Sequence, residues 1–187
     1  ERLANQSMMP LCYGGGVKTV EQAQRIFSLG VEKIALSSSV LSNPNLITQI
    51  ADRVGSQSVI VVLDVKKKLF GGYEVYTHNG KKATRINPLE FVEKAERFGA
   101  GEIVINSIDK DGVMKGYDLD LIDKVREKIA LPMTVLGGAG SLNDIEKIIK
   151  RHGIIGISAG SLFVFKGPYK AVLINYPNRT EKNKLFK

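Results

Sequence analysis

This sequence predicts an α/β fold on a parallel sheet, of the (βα)8 barrel kind. Apolar strand-like runs and amphipathic helix-like segments alternate without a break, which is the pattern of parallel sheets. The most apolar run, Val59-Ile60-Val61-Val62-Leu63, is rich in β-branched residues, as suits a strand covered on both faces. One stretch also repeats: residues 10–38 lie over residues 132–161, Pro10 falling on Pro132 at an offset of 122. Alternation alone leaves a doubly wound open sheet available, and the repeat favours the barrel.

The elements follow in order. Leu11-Cys12-Tyr13 is a short strand ended by Gly14-Gly15-Gly16. Val20, Ala23, Ile26 and Phe27 fall on one helical face, giving a helix from about Val20 to Leu29. Lys33–Leu36 is the next strand, stopped by Ser37-Ser38-Ser39, and a helix over Asn45–Val54 leads to the strand Val59–Asp64. Tyr73–Thr77 and Lys82–Arg85 flank Asn79-Gly80, a hairpin signal read as an excursion from a βα loop. A helix at Pro88–Phe98 precedes the strand Glu102–Asn106, and a helix at Leu119–Lys128 precedes the strand Met133–Leu136. A helix at Asn143–Lys150 precedes the strand Gly156–Ala159, and a last helix is expected over Tyr169–Tyr176.

In the repeat, Gly15-Gly16 fall on Gly137-Gly138, and Val20, Ala23, Ile26 and Phe27 on Leu142, Ile145, Ile148 and Ile149. After a one-residue slip, Ser37-Ser38 fall on Gly160-Ser161. A 122-residue unit holds four βα modules of roughly 30 residues. Two units make a barrel of about 245 residues, a usual size. The expectation is therefore a single barrel domain over residues 1–187 with half-barrel duplication, carrying strands three to eight and lacking strands one and two, with a polar tail at 177–187. The start at Glu1-Arg2-Leu3-Ala4-Asn5 reads as the end of a helix already under way; under the repeat the partner of Asp64 would lie before it, so a two-carboxylate mechanism would need the missing part and the chain alone is expected to be inactive.

Composition narrows the function. With 187 residues, 43% hydrophobic and 25% charged, the chain can bury a full core without staples. The single cysteine, Cys12, excludes an intramolecular disulfide and a cysteine metal cluster. His78 and His152 are far apart in sequence and read as surface residues, so no metal and no cofactor are expected. No apolar run is long enough to span a membrane and no signal peptide is recognised, which reads as cytoplasmic. The net charge of +8 invites a nucleic-acid reading, but the basic residues form no single stripe and aromatics are only 7%. A basic surface that draws in anionic small molecules fits better, with no nucleic-acid and no membrane partner.

The repeated pairs have the chemistry of phosphate cradles. Glycine admits an anion close to backbone N–H groups, and the start of a following helix adds unpaired donors. In barrels the loops after strands seven and eight are the usual phosphate site, here Gly137, Gly138, Gly160 and Ser161. Duplication predicts a second site at Gly15, Gly16, Ser37 and Ser38, hence a substrate with a phosphate at each end. The competing reading is that the glycines only serve tight turns. Asp64, ending the most apolar strand, reads equally as a general acid/base or as a loop cap. The loop Asn106-Ser107-Ile108-Asp109-Lys110-Asp111-Gly112 lacks the calcium ligand pattern. It reads as substrate contact through Asn106 and Asp111, with Gly112 joining the phosphate-binding glycines, or as a solvated turn.

The stretch Ser107-Ile108-Asp109-Lys110-Asp111-Gly112-Val113-Met114-Lys115-Gly116-Tyr117-Asp118, with Gly14-Gly15-Gly16, Asp64 and Gly137-Gly138-Ala139-Gly140, resembles the HisF family, the cyclase subunits of imidazole glycerol phosphate synthase. The likeness covers residues 1 to about 176. It implies a half-barrel duplication and a bisphosphorylated substrate, phosphoribulosyl-formimino-AICAR-phosphate, converted to imidazole glycerol phosphate and AICAR. It also implies a glutaminase partner (HisH-like), whose ammonia enters the bottom of the barrel. On this resemblance Asp64 is one of two catalytic aspartates, Lys33 and Glu102 belong to the ammonia gate, and Glu32 and Gln57 face the glutaminase. Leu136, Ser37-Ser38, Val164 and Arg85 depart from the family pattern around the substrate site. Residues Ala159–Gly167 and Ala171–Pro177 look like a paralogous branch linked to surface-sugar amidation. That branch implies a sugar amidotransferase as a further partner, or a non-catalytic role in carrying ammonia.

Overall fold

A computed structural model of the chain describes residues 6–7, 9–167 and 169–186. Residues 1–5, expected to end a helix, lie outside that range. The strands are β1 (Cys12–Gly14), β2 (Lys33–Leu36), β3 (Val59–Lys67), β4 (Tyr73–Thr77), β5 (Lys82–Ala83), β6 (Glu102–Ser107), β7 (Met133–Leu136), β8 (Gly156–Ile157), β9 (Phe165–Lys166) and β10 (Ala171–Val172). The helices are α1 (Val20–Phe27), α2 (Ser38–Ser42), α3 (Asn45–Val54), α4 (Pro88–Arg97), α5 (Leu119–Arg126), α6 (Leu142–His152), α7 (Ser161–Val164) and α8 (Arg179–Lys184).

Six strands pair in parallel in the order β1-β2-β3-β6-β7-β8. Spatial order follows chain order, with no point at which it reverses. Crossovers between parallel strands share one hand, so such an order places the helices on one face. The sheet then curls, helices outside, as in a TIM-type barrel. Burial agrees: Ile34, Leu36, Val59, Val61, Leu63, Val65, Ile103, Ile105 and Val135 are sealed against Leu46, Ile47, Ile50, Val92, Leu121, Val125 and Ile148 of the helices. Alternate residues, among them Lys33, Val62, Asp64, Glu102, Thr134 and Leu136, take the opposite, less buried face.

Helix starts follow local chemistry. Thr19 caps α1, Asn87 caps α4 ahead of Pro88, Asp118 caps α5, and Ser141 with Asp144 forms a capping box on α6. The hairpin expected around Asn79-Gly80 is present as β4 and β5. Its loop takes positive φ at His78, Asn79 and Gly80, and β4 pairs with the extended end of β3. The Tyr73 hydroxyl donates to Asp118 Oδ1 (3.0 Å) and Asp120 Oδ2 (2.9 Å), tying the hairpin to α5.

Two expectations are corrected. Residues 169–176 hold no helix: Ala171–Val172 pairs antiparallel with Phe165–Lys166, and Leu173 and Asn175 donate to Val164 and Phe163. Consecutive apolar residues rather than a helical stripe explain this. The helix lies further on, at Arg179–Lys184 inside the expected polar tail, where Asn178 and Glu181 make a capping box. His152 is not a surface residue. Its side chain is 8% exposed, with Nε2 3.1 Å from Asp123 Oδ1, because it ends α6 beside the Asp123–Arg151 ion pair. His78 is exposed, as expected. Among the described residues no helix is long and apolar enough to cross a membrane.

Leu63 is fully buried between sheet and helices. Leu63→Ala is expected to cost about 2–5 kcal/mol, read as a fall in the urea midpoint.

Candidate functional site

A parallel sheet has two chemically distinct ends, and the singled-out residues divide between them. At the C-terminal end stand Asp64 of β3, Asn106 of β6 and the loops that follow each strand. At the N-terminal end stand Lys33 of β2, Glu102 of β6, and Glu32 and Gln57 in the segments just before β2 and β3.

Asp64, Asn106 and Leu136 are consecutive partners in the sheet register. Asn106 Nδ2 donates to Asp64 Oδ1 at 2.8 Å. Asn106 is 8% exposed, and its Oδ1 has no hydrogen-bond partner among the described residues. A buried orphan acceptor is costly and calls for a donor from water or a ligand. Tyr76 of the hairpin lies opposite Asp64, with Lys66 Nζ 5.6 Å from its ring centroid. The sequence reading missed Tyr76, whose only signal was the alternation of the hairpin strand.

The loops around this end interlock. Asp109 Oδ2 accepts from Lys67 N at 2.9 Å, and the Tyr117 hydroxyl donates to Ser158 O at 2.9 Å. Burial first, then the Asp144 charge, pushes the Tyr117 phenol well above its ordinary range, so it stays a donor. Asp111 is exposed on the loop, one residue before Gly112.

The glycines fall into two groups. At Gly137 (φ +89°) a Cβ would lie 2.5 Å from Ser107 O and 2.9 Å from Asn106 Oδ1. At Gly138 (φ +119°) it would lie 2.3 Å from Gly116 O. These two are required by close backbone packing. Around Gly15, Gly16, Gly112 and Gly160 a Cβ would meet nothing within 4 Å, which leaves their backbone open to a ligand. Gly15 and Gly16 border a cavity of 280 Å3 that also includes Arg25.

Ser37 and Gly160 each precede a short helix, α2 and α7, and neither start has a side-chain cap. The repeat therefore extends to structure: strand, helix, strand and short helix recur with Ser38 and Ser161 in first position. Sequence reasoning missed both short helices, which are too brief to show periodicity. The α6 start differs, since Asp144 already accepts from Gly140 N and Ser141 N.

At the other end Lys33 Nζ donates to Glu102 Oε2 at 2.7 Å across the intervening strand β3. The side chains are 44% and 15% exposed. Thr134 Oγ1 donates to Glu102 Oε1 at 2.7 Å, a contact not read from sequence. Cys12 pairs with Lys33 in register; burial and then Glu102 push its thiol up, while Lys33 draws it down. Glu32 Oε2 accepts from Leu11 N at 2.5 Å. Gln57 is exposed in the 3-10 turn Ser56–Ser58, at the same end.

The histidine biosynthesis protein family matches residues 1–170. The chain belongs to this family. It is 58% identical over 185 residues to a Vibrio vulnificus protein provisionally named imidazole glycerol phosphate synthase subunit hisF3, covering 98% of this chain and 71% of that one. A Leptospira interrogans protein, provisionally named subunit HisF of the same synthase, is 58% identical over 187 residues, covering 100% and 74%. The Streptococcus sanguinis imidazole glycerol phosphate synthase subunit HisF is 38% identical over 162 residues, covering 87% and 64%. The family, the parallel sheet and the ordered crossovers agree with the fold expected from sequence.

The two glycine groups should respond differently. Gly138→Ala is expected to lower stability by roughly 1–3 kcal/mol, while Gly160→Ala stays within about 0.5 kcal/mol. Urea unfolding of both variants measures the contrast.

Proposed function

We propose that this chain supplies strands three to eight of the barrel of a HisF-type cyclase, which uses ammonia to convert a bisphosphorylated substrate to imidazole glycerol phosphate and AICAR in the cytoplasm. The observation that carries the reading is Asp64 held by Asn106 at one end of the sheet whose other end holds the Lys33–Glu102 pair. Kinship to HisF subunits supports the same reading.

Asp64 acts as acid/base. Asn106 fixes Oδ1, and no described residue hydrogen-bonds to Oδ2, which leaves that oxygen for the substrate. The orphan Oδ1 of Asn106 takes a donor from the substrate, and Asp111 contacts it from the loop. The phosphates bind at the repeated loops: Gly15, Gly16, Ser37 and Ser38 on one side; Gly137, Gly138, Gly160 and Ser161 on the other, with Gly112 between. Hydrogen bonds to a charged group contribute roughly 1.5–3 kcal/mol each, so a few such donors anchor each phosphate. Lys33 and Glu102 gate ammonia arriving from a glutaminase subunit seated over Glu32 and Gln57. The second catalytic aspartate that the resemblance implies has no counterpart in residues 1–187.

A second reading is favoured by Leu136, which sets an apolar side chain beside Asn106 where the family pattern has serine. Here the protein delivers ammonia to a sugar amidotransferase in surface-polysaccharide synthesis, with or without chemistry of its own.

Asp64→Asn in the full-length protein tests the first reading. Ammonia-driven turnover is expected to fall about 10²–10⁴-fold while binding of the bisphosphate substrate changes less than threefold. Turnover unchanged in the variant contradicts the role of Asp64. A wild-type protein without turnover, yet able to pass ammonia to a sugar amidotransferase, supports the second reading.

A further inference from the structure

The Lys33–Glu102 pair accounts for only one oxygen of Glu102. The other accepts from Thr134 Oγ1 at 2.7 Å, on the neighbouring strand β7. Glu102 is thus held from both sides, by a flexible lysine 44% exposed and by a short β-branched residue rooted in the sheet. Threonine has a single stiff χ1, whereas a lysine side chain has four rotatable bonds. The two restraints on Glu102 differ in rigidity by construction.

The strand beyond is shaped to match. Gly156 of β8 pairs with Thr134, and a Cβ at Gly156 would lie 1.9 Å from Thr134 Oγ1. The hydroxyl therefore occupies the space that any other residue at position 156 would fill. Glycine inside a strand weakens it and marks a close approach. No turn and no positive φ asks for glycine at this position. The approach it permits is the one that aims the Thr134 hydroxyl at Glu102.

We propose that Thr134 is a positioning residue that pins Glu102, so that the N-terminal end of the barrel axis opens by movement of Lys33 against a fixed carboxylate. The proposal rests on reading Lys33 and Glu102 as the ammonia gate. With Glu102 fixed, Lys33 returns to one defined partner after each opening. Without the pin, the carboxylate follows the lysine and the path stays partly open.

Two measurements test this. In the full-length protein, the Thr134 hydroxyl proton is expected to be observable by NMR and to exchange at least tenfold more slowly than that of exposed Thr180; exchange at the same rate overturns the pin. In the full-length protein with its glutaminase, glutamine hydrolysed per product formed is compared for Lys33→Ala, Thr134→Val and Thr134→Ser. Thr134→Val is expected to raise the ratio three- to tenfold, Thr134→Ser to stay within twofold of wild type, and turnover on free ammonia to stay within twofold in both. A change with Lys33→Ala and none with Thr134→Val overturns the role of Thr134. No change with either overturns the gate reading itself. If Thr134→Val does not fold, the exchange measurement decides.

Discussion

One constraint organises this molecule: six parallel strands meet in the order in which the chain makes them. With one hand of crossover the helices have a single face to occupy. Every second side chain of each strand is then committed to the apolar layer under the helices, and the others to the concave face. Val61, Leu63 and Val65 go to the first, Val62 and Asp64 to the second. Asp64 could not be moved one residue along β3 without exchanging places with a core residue. The chemistry of the concave face is therefore a consequence of strand register.

The two ends of that face differ in how their polar groups are satisfied. At the N-terminal end, Glu102 finds a cation and a hydroxyl, and both of its oxygens are used. At the C-terminal end, Asn106 spends its donor on Asp64 and leaves its acceptor unpaired. A closed network gives rigidity, and an open one leaves a hydrogen bond for an incoming molecule. The loops that frame the open end are tied to one another through Tyr73, Asp109 and Tyr117 rather than left loose.

Much of this was legible in the sequence. The β-branched run from Val59 announced the central strand, and the helix starts expected at Val20, Pro88 and Asn143 lie within one residue of those in the fold. The glycine pairs disclosed the repeat. Sequence could not separate Gly137 and Gly138, which the backbone of the neighbouring loop demands, from Gly15 and Gly160, which face open space. That distinction depends on what lies across the fold. Thr134 was invisible for the same reason: its importance comes from Glu102 on one neighbouring strand and Gly156 on the other. The apolar run from Ala171 was misread as a helix because eight residues are too few to separate a stripe from an extended run. His152 was misread because its burial is set by contact with Asp123 on another helix.

On the proposed reading, ammonia enters at one end of the sheet and reacts with a phosphorylated substrate at the other. Growth of a histidine auxotroph lacking its own cyclase, complemented by the full-length gene in medium rich in ammonia, tests that union most directly. The account predicts growth without added histidine. Absence of growth, with the protein present and folded in the cells, would contradict it.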